Sequence, residues 1–110
     1  MKTIGAAAIL ILAAGGAHAK DTQFWNLTSH AITELRLSPA GKSDWGPDQT
    51  VNDADHAVEH DERLKITGIA TGVYDVKFTD KSGRNCVVAG VMVRQGAVFS
   101  IDEKKLKDCR

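Results

Sequence analysis

The chain has 110 residues and a formal net charge of zero, from 14 Lys and Arg and 14 Asp and Glu, and it has two Cys. This length predicts one domain, near the lower size at which a single hydrophobic core is stable without a cross-link. The basic residues are scattered and are not interleaved with aromatic residues, which argues against nucleic acid as a partner.

The N-terminus has the three parts of an export signal. Lys2 is a short positive region, residues 4–14 are apolar and uncharged, and Ala17-His18-Ala19 gives the small-x-small pattern of a cleavage site. The apolar run is too short to cross about 30 Å of hydrocarbon, so a transmembrane anchor is the less favoured interpretation. We predict a cleaved signal peptide over residues 1–19, one mature domain over residues 20–110, no membrane span and a periplasmic (secreted) location.

The mature chain alternates apolar and polar residues with a period of two, which is typical of β-strands. Residues 23–27 and 32–37 predict the first two strands. Leu64 and Ile66 indicate another strand after an acidic segment. No long helical pattern interrupts this series.

The clearest strand lies at residues 73–79, where Tyr, Val and Phe alternate with polar residues. A turn at residues 80–83 contains Gly, and the chain then returns as an apolar strand at residues 86–93. A further turn leads to a strand at residues 97–101. We expect these last three strands to form an antiparallel meander.

The C-terminal stretch, residues 102–107, has helix-forming composition and predicts one helical turn. An even cysteine count in an exported chain predicts a Cys86–Cys109 disulfide, worth about 3 kcal/mol on the chain-entropy model. A metal-binding or catalytic thiol pair is the alternative, but no CxxC spacing supports it.

The predicted fold class is all-β, a small antiparallel β-sandwich of six to seven short strands with one C-terminal helical turn and one disulfide. A small barrel is the alternative fold.

An acidic segment at residues 48–62 contains no Lys or Arg. Its acids are Asp48, Asp53, Asp55, Glu59, Asp61 and Glu62. Carboxylates crowded on one loop repel each other unless a positive charge neutralises them. Hard cations prefer such oxygen ligands, and trivalent ions gain more from an anionic cluster because the Coulomb energy scales with charge.

Other interpretations of the acidic segment remain open. An EF-hand fits poorly, because Asp53 stands where Gly is required and Trp45-Gly46-Pro47 cannot form an entering helix. A solvated loop that keeps the protein soluble and blocks strand pairing is one alternative, and a docking patch for a basic partner is another. His56 and His60, four residues apart, could share a helical face and bind a transition metal, although their acidic surroundings favour a hard ion.

Enzyme motifs are missing from the sequence. There is no G-x-S-x-G, P-loop, dinucleotide-binding glycine pattern or H-E-x-x-H. A domain of this size with two tryptophans also offers little room for a cleft around a pair of catalytic carboxylates. We expect that the protein is not an enzyme.

Several segments of the mature chain carry a resemblance to known proteins. They are residues 24–28, 32–39, 44–48, 74–76 and 83–86, together with Cys109. Together they resemble a group of small exported bacterial β-sandwich proteins over nearly all of the mature chain. Those proteins often carry a Pro-Gly-Glu-like turn where this chain has residues 59–62, with an added acid at Asp61. In this respect the chain is similar to the landiscernin (LanD) group, the periplasmic lanthanide-binding proteins of methylotrophs.

The landiscernin resemblance implies a surface site for light lanthanide ions such as La³⁺ or Nd³⁺. The oxygen ligands of the acidic segment leave Ca²⁺ as a weaker candidate. It also implies metal-bridged dimerisation and cooperation with the lanthanide carrier lanmodulin. It supplies no ligand motif to transfer, so the site rests on the acidic segment. The predicted ligands, not all of them direct, are Asp53, Asp55, Glu59, Asp61 and Glu62.

Two functions follow from these observations. The first is a periplasmic binding or trafficking protein, a metallochaperone, for a hard metal ion such as a lanthanide. The alternative is a non-enzymatic periplasmic adaptor that docks a partner protein through the acidic segment or a sheet edge.

Overall fold

The computed structural model describes residues 20–110, so the predicted signal peptide lies outside the described residues. Within that range the chain forms seven strands and two short 3₁₀ turns. The strands are β1 (Thr22–Leu27), β2 (Ile32–Pro39), β3 (Arg63–Ile66), β4 (Gly72–Asp80), β5 (Asn85–Val93), β6 (Val98–Asp102) and β7 (Asp108–Cys109). The first 3₁₀ turn (Gln49–Asn52) follows β2, and the second (Glu103–Lys105) follows β6.

The strands form two sheets, which confirms the all-β sandwich. One sheet has the order β3-β1-β6 and the other the order β2-β4-β5-β7. The strands predicted at residues 23–27, 32–37, 73–79 and 86–93 are confirmed as β1, β2, β4 and β5. The hairpin of β4 and β5 is antiparallel, as expected.

The predicted three-stranded meander is wrong at its last strand. β6 leaves β5 and pairs in parallel with β1 in the other sheet, where Phe24 lies opposite Phe99. Gly96 begins the crossing with a φ of 83°. Its N–H donates to the Thr22 hydroxyl at 2.8 Å, and the N–H of Gln23 donates to the carbonyl of Ala97 at 3.0 Å. These bonds hold the crossing against the start of β1.

The core lies between the sheets and follows the period of two. Fully buried side chains from both sheets include Phe24, Ile32, Leu35, Val76, Phe78 and Ile101. The rings of Phe24 and Phe99 lie 5.4 Å apart between centroids, which ties the parallel pair β1–β6 into this core. Each such side chain contributes about 1.5–3 kcal/mol through burial, so the core sets the position of every loop attached to it.

The predicted disulfide and C-terminal turn are both confirmed. Cys86 is bonded to Cys109, and the two residues also lie opposite each other in the β5–β7 pairing. The second 3₁₀ turn (Glu103–Lys105) lies just before β7 and brings the chain end back to β5. This cross-link is compatible with export to an oxidising compartment.

A charged network fastens the second 3₁₀ turn to two loops. Arg84 donates to Asp80 at 2.9 Å and to Glu103 at 2.6 Å, and Glu103 also accepts hydrogen bonds from the backbone and hydroxyl of Ser29. The Arg84 guanidinium and the Ser29 bonds lower the pKa of Glu103 to about 2. Glu103 is therefore held as a carboxylate through most of the acidic range.

Glu103→Gln is expected to lower the free energy of unfolding at neutral pH, because it removes the charge that Arg84 and Ser29 bind. The folded-state pKa of Glu103 is depressed, so its stabilising effect is complete above the ordinary value of 4.5 and is lost as the pH falls toward about 2. Urea unfolding at a series of pH values should show the gap between wild type and variant closing over that range. Asp55→Asn is the matched control, and a gap that stays constant with pH would contradict this account.

Candidate functional site

The fold divides the acidic segment into two separate pieces. The first 3₁₀ turn (Gln49–Asn52) is followed by a bend at residues 53–56, which carries Asp53 and Asp55. Ala57 and Val58 are then buried, and Val58 pairs with Ile32 in an isolated bridge. After this interruption comes a turn at residues 59–62, here called the acidic turn. The predicted ligands therefore lie two on the bend and three on the acidic turn.

Asp48, the first acid of the segment, is a structural residue. Its carboxylate accepts bonds from the backbone of Leu35 and from the backbone and hydroxyl of Thr50, which caps the first 3₁₀ turn. Burial alone would raise the pKa of Asp48, but these hydrogen bonds hold it below its ordinary value. The Asp48 carboxylate therefore stabilises the contact between β2 and the first 3₁₀ turn.

The bend at residues 53–56 is a local turn held by its own side chains. The carboxylate of Asp53 accepts from the backbone N–H of Asp55 at 2.8 Å, while the N–H of His56 donates to the carbonyl of Asp53 at 3.0 Å. His56 has a φ of 55°. The segment is not helical here, so the expectation that His56 and His60 could share a helical face is wrong.

The acidic turn presents three carboxylates within four residues. The N–H of Glu62 donates to the carbonyl of Glu59 at 3.1 Å, and the N–H of Glu59 donates to the Glu62 side chain at 2.7 Å. Asp61 has a φ of 70°, a left-handed conformation that Asp tolerates better than most residues. Its carboxylate accepts from the indole N–H of Trp25 at 3.0 Å. The turn is therefore closed by bonds of its own and tied to a tryptophan.

The backbone of the acidic turn is fixed to β1 at Asn26. The N–H of Asp61 donates to the Asn26 carbonyl at 2.6 Å, and the N–H of Asn26 donates to the Glu62 carbonyl at 3.0 Å. Just before these two residues, the imidazole Nδ1 of His60 lies 2.7 Å from the carbonyl of Thr28. These contacts place His60 as a structural link to the β1–β2 connection.

The side chain of Asn26 is fully buried, and all its hydrogen-bond donors and its acceptor have partners. Its amide N–H groups donate to the carbonyls of His30 and Val58, each at 2.9 Å. Its carbonyl oxygen accepts from the backbone and the hydroxyl of Thr28. One residue thereby joins β1, the β1–β2 connection and the buried residues that precede the acidic turn.

The carboxylates of the acidic turn have little positive charge around them. Among the described residues, its ion pair is Glu59 with Lys81 at 3.9 Å, and both side chains are more than 60% exposed. An exposed pair at this distance contributes little. The guanidinium of Arg63 lies 4.8 Å from the centre of the Trp25 ring and so faces the tryptophan. The acidic turn therefore keeps a net negative charge at the surface.

A single copy does not bring the five predicted ligands together. Within residues 20–110 no group of three or more His, Cys, Asp or Glu side chains is placed to hold a metal ion. Asp53 and Asp55 lie on one side of the buried Ala57-Val58 pair and the acidic turn lies on the other. The donors have the right chemistry for a hard ion, but in one copy they are distributed over two turns.

Asn26, Thr28 and Trp25 help to build the site and were not predicted from the sequence to do so. A usable signal was present, because Asn is depleted in strands and stands here between Trp25 and Leu27 in a predicted strand. An Asn in such a position indicates a buried amide with a specific set of partners.

No family model, curated protein or solved structure matches this chain. The landiscernin resemblance therefore stays a prediction. Residues 20–110 contain no helix with the length and apolar composition needed to cross a bilayer.

Asn26→Ala should lower the free energy of unfolding by more than about 2 kcal/mol, because each buried group left without a partner costs about 1–3 kcal/mol. Asn85→Ala is the matched control, since Asn85 is exposed and accepts one side-chain bond, from Thr79. Urea unfolding measures the difference. Hydrogen exchange at the amides of Asp61 and Glu62 should also be faster in Asn26→Ala; equal costs for the two variants would contradict the assigned role of Asn26.

Proposed function

We propose that the mature domain is a periplasmic binding protein for a hard metal ion, with a trivalent lanthanide as the preferred cargo and with no catalytic activity. The observation that carries this proposal is the acidic turn. Its three carboxylates project from a backbone that is hydrogen-bonded to Asn26 of β1 at Asp61 and Glu62. Little of their charge is neutralised within the described residues.

The preference for a trivalent ion follows from charge and from location. All the donors are carboxylate oxygens, which suit hard cations better than zinc or copper. An exported site meets calcium and magnesium, so a selective one must favour a higher charge. Attraction to a fixed set of carboxylates rises in proportion to the charge of the ion, which favours La³⁺ or Nd³⁺ over Ca²⁺.

We propose further that the ion is shared between two copies of the chain. An ion of calcium-like size takes about six to eight oxygen ligands. No three-ligand group exists within residues 20–110 of one copy, so one acidic turn leaves most positions to water. A second acidic turn, related by a two-fold axis, supplies more carboxylates, and the ion between the two turns offsets the repulsion between their negative surfaces. The bend with Asp53 and Asp55 adds to the negative potential.

An ion held between two copies remains accessible at its edges. Water-filled positions allow a carrier with more converged carboxylates to take the ion from the dimer. This is the step at which we propose that lanmodulin, or a carrier of its type, acts as the partner.

Terbium luminescence tests the position of the site. The carboxylate of Asp61 lies 3.0 Å from the indole nitrogen of Trp25, so Tb³⁺ bound at the acidic turn should be sensitised by excitation of that indole. Trp25→Phe should lose most of the emission but still bind in calorimetry. Trp45→Phe is the matched control and should keep the emission. Emission that depends on Trp45, or no emission at micromolar protein, would overturn the assignment.

Charge-matched variants test whether binding is local. Glu59→Gln/Asp61→Asn/Glu62→Gln should weaken La³⁺ binding by about tenfold or more, since it removes all three carboxylates of the acidic turn. The control removes three charges elsewhere through Asp21→Asn, Asp44→Asn and Asp108→Asn, and should bind as wild type. Sedimentation should show a dimer with La³⁺ and a monomer after EDTA. Equal weakening in both variants, or no heat on titration, would contradict the proposal.

A further inference from the structure

Each sheet of the sandwich has a free edge on the same side of the molecule. β7 pairs with β5 only at Cys86 and Val87, so residues 88–93 of β5 have no strand neighbour on that side within the described chain. β6 is the outer strand of the other sheet and is paired with β1 alone. A cavity of about 440 Å³ lies between these two edges.

The walls of this groove combine strand-edge backbone with apolar side chains. Its lining includes Val88, Val91 and Met92 from β5 and Val98 and Phe99 from β6. Met92 is 44% exposed and Val98 is 42% exposed. A free strand edge carries a row of N–H and C=O groups that pair readily with an added strand. At about 3.3 Å per residue, the free part of β5 accommodates four to six residues of an extended peptide.

One end of the groove is positively charged. A second cavity, of about 480 Å³, shares Val88 and Ala89 with the first and is lined by Lys104, Lys105 and Lys107, with Asp108 as its one acid. Lys105 also lines both cavities, so they are adjacent. The neighbouring Glu103 is bound by Arg84 and does not neutralise these lysines.

We propose that this groove binds an extended acidic peptide segment of a partner protein by strand addition to β5. The peptide continues the sheet from the point where β7 ends. Its backbone pairs with the edge of residues 88–92, except at the N–H of Gly90, which already donates to the Asp75 carboxylate at 3.1 Å. Its inward side chains contact Val91 and Phe99, and its carboxylates lie against Lys105 and Lys107. Because the acidic turn takes no part, this inference goes beyond the proposed metal binding and stands independently of it.

A synthetic peptide of alternating Val and Glu is the probe, measured by fluorescence anisotropy with the mature protein in buffer containing EDTA. It should bind, and a peptide with Lys in place of Glu should not. Lys105→Glu/Lys107→Glu should weaken binding by about tenfold, whereas the matched charge reversal Lys20→Glu/Lys42→Glu should leave it unchanged. Two further peptides are N-methylated at alternate residues, one at the odd and one at the even positions. Both keep their charge, but in one of them the methyl groups replace the N–H donors that face β5, and that peptide should not bind.

Four results would overturn the docking proposal. The first is equal binding of the acidic and basic peptides, and the second is equal weakening by the two double variants. The third is full binding by both N-methylated peptides, which would reduce the site to a charged surface. The fourth is a dimer in EDTA that excludes the peptide and is broken by Val98→Lys, since the groove would then be occupied by a second copy. EDTA keeps all these outcomes separate from any failure of metal binding.

Discussion

The buried amide of Asn26 is the constraint on which the site depends. A primary amide in a hydrophobic core is costly unless all its donors and acceptors are satisfied, and here the β1–β2 connection and Val58 satisfy them. Satisfying the amide fixes where Val58 lies, and the backbone bonds of Asn26 then fix Asp61 and Glu62. The acidic turn is therefore placed by the core, although all its carboxylates are at the surface.

The acids of this protein divide into two classes by what surrounds them. Asp48, Asp80 and Glu103 have hydrogen-bond donors directed at them, and those bonds lower the pKa of each. Such carboxylates hold loops and turns together. The acids of the acidic turn are different, because their partners are local backbone groups, one indole and one distant lysine. Unneutralised charge on a fixed backbone is what an incoming cation requires.

Much of the fold could be predicted from the sequence, because alternation along 73–79 and 32–37 shows which face of a strand is buried. Cys86 and Cys109 could be paired because they are the only two cysteines. The partner of β6 could not be predicted, since Phe99 and Ile101 have the same pattern whether they pack beside β5 or beside β1. That choice depends on the Gly96 crossing and on the contact between Phe24 and Phe99, both of which are tertiary.

The candidate site was predicted by composition and not by geometry. The run of acids at 48–62 marked the correct region, but Asp48 belongs to a cap, and the buried Val58 separates the remaining acids into two turns. Composition does not reveal such a division, because it counts charges without regard to which neighbours are buried. The groove beside β5 could not be predicted from the sequence either, since it exists only because β7 is two residues long.

The most direct test of the account is an NMR titration of the isotope-labelled mature protein with La³⁺, following every backbone amide and the Trp25 indole N–H. If the ion binds at the acidic turn, the largest shifts should occur at Asp61, Glu62 and the Trp25 indole, with a smaller one at Asn26, and tumbling should slow as the dimer forms. Shifts confined to residues away from the acidic turn, or no shift at stoichiometric La³⁺, would contradict it.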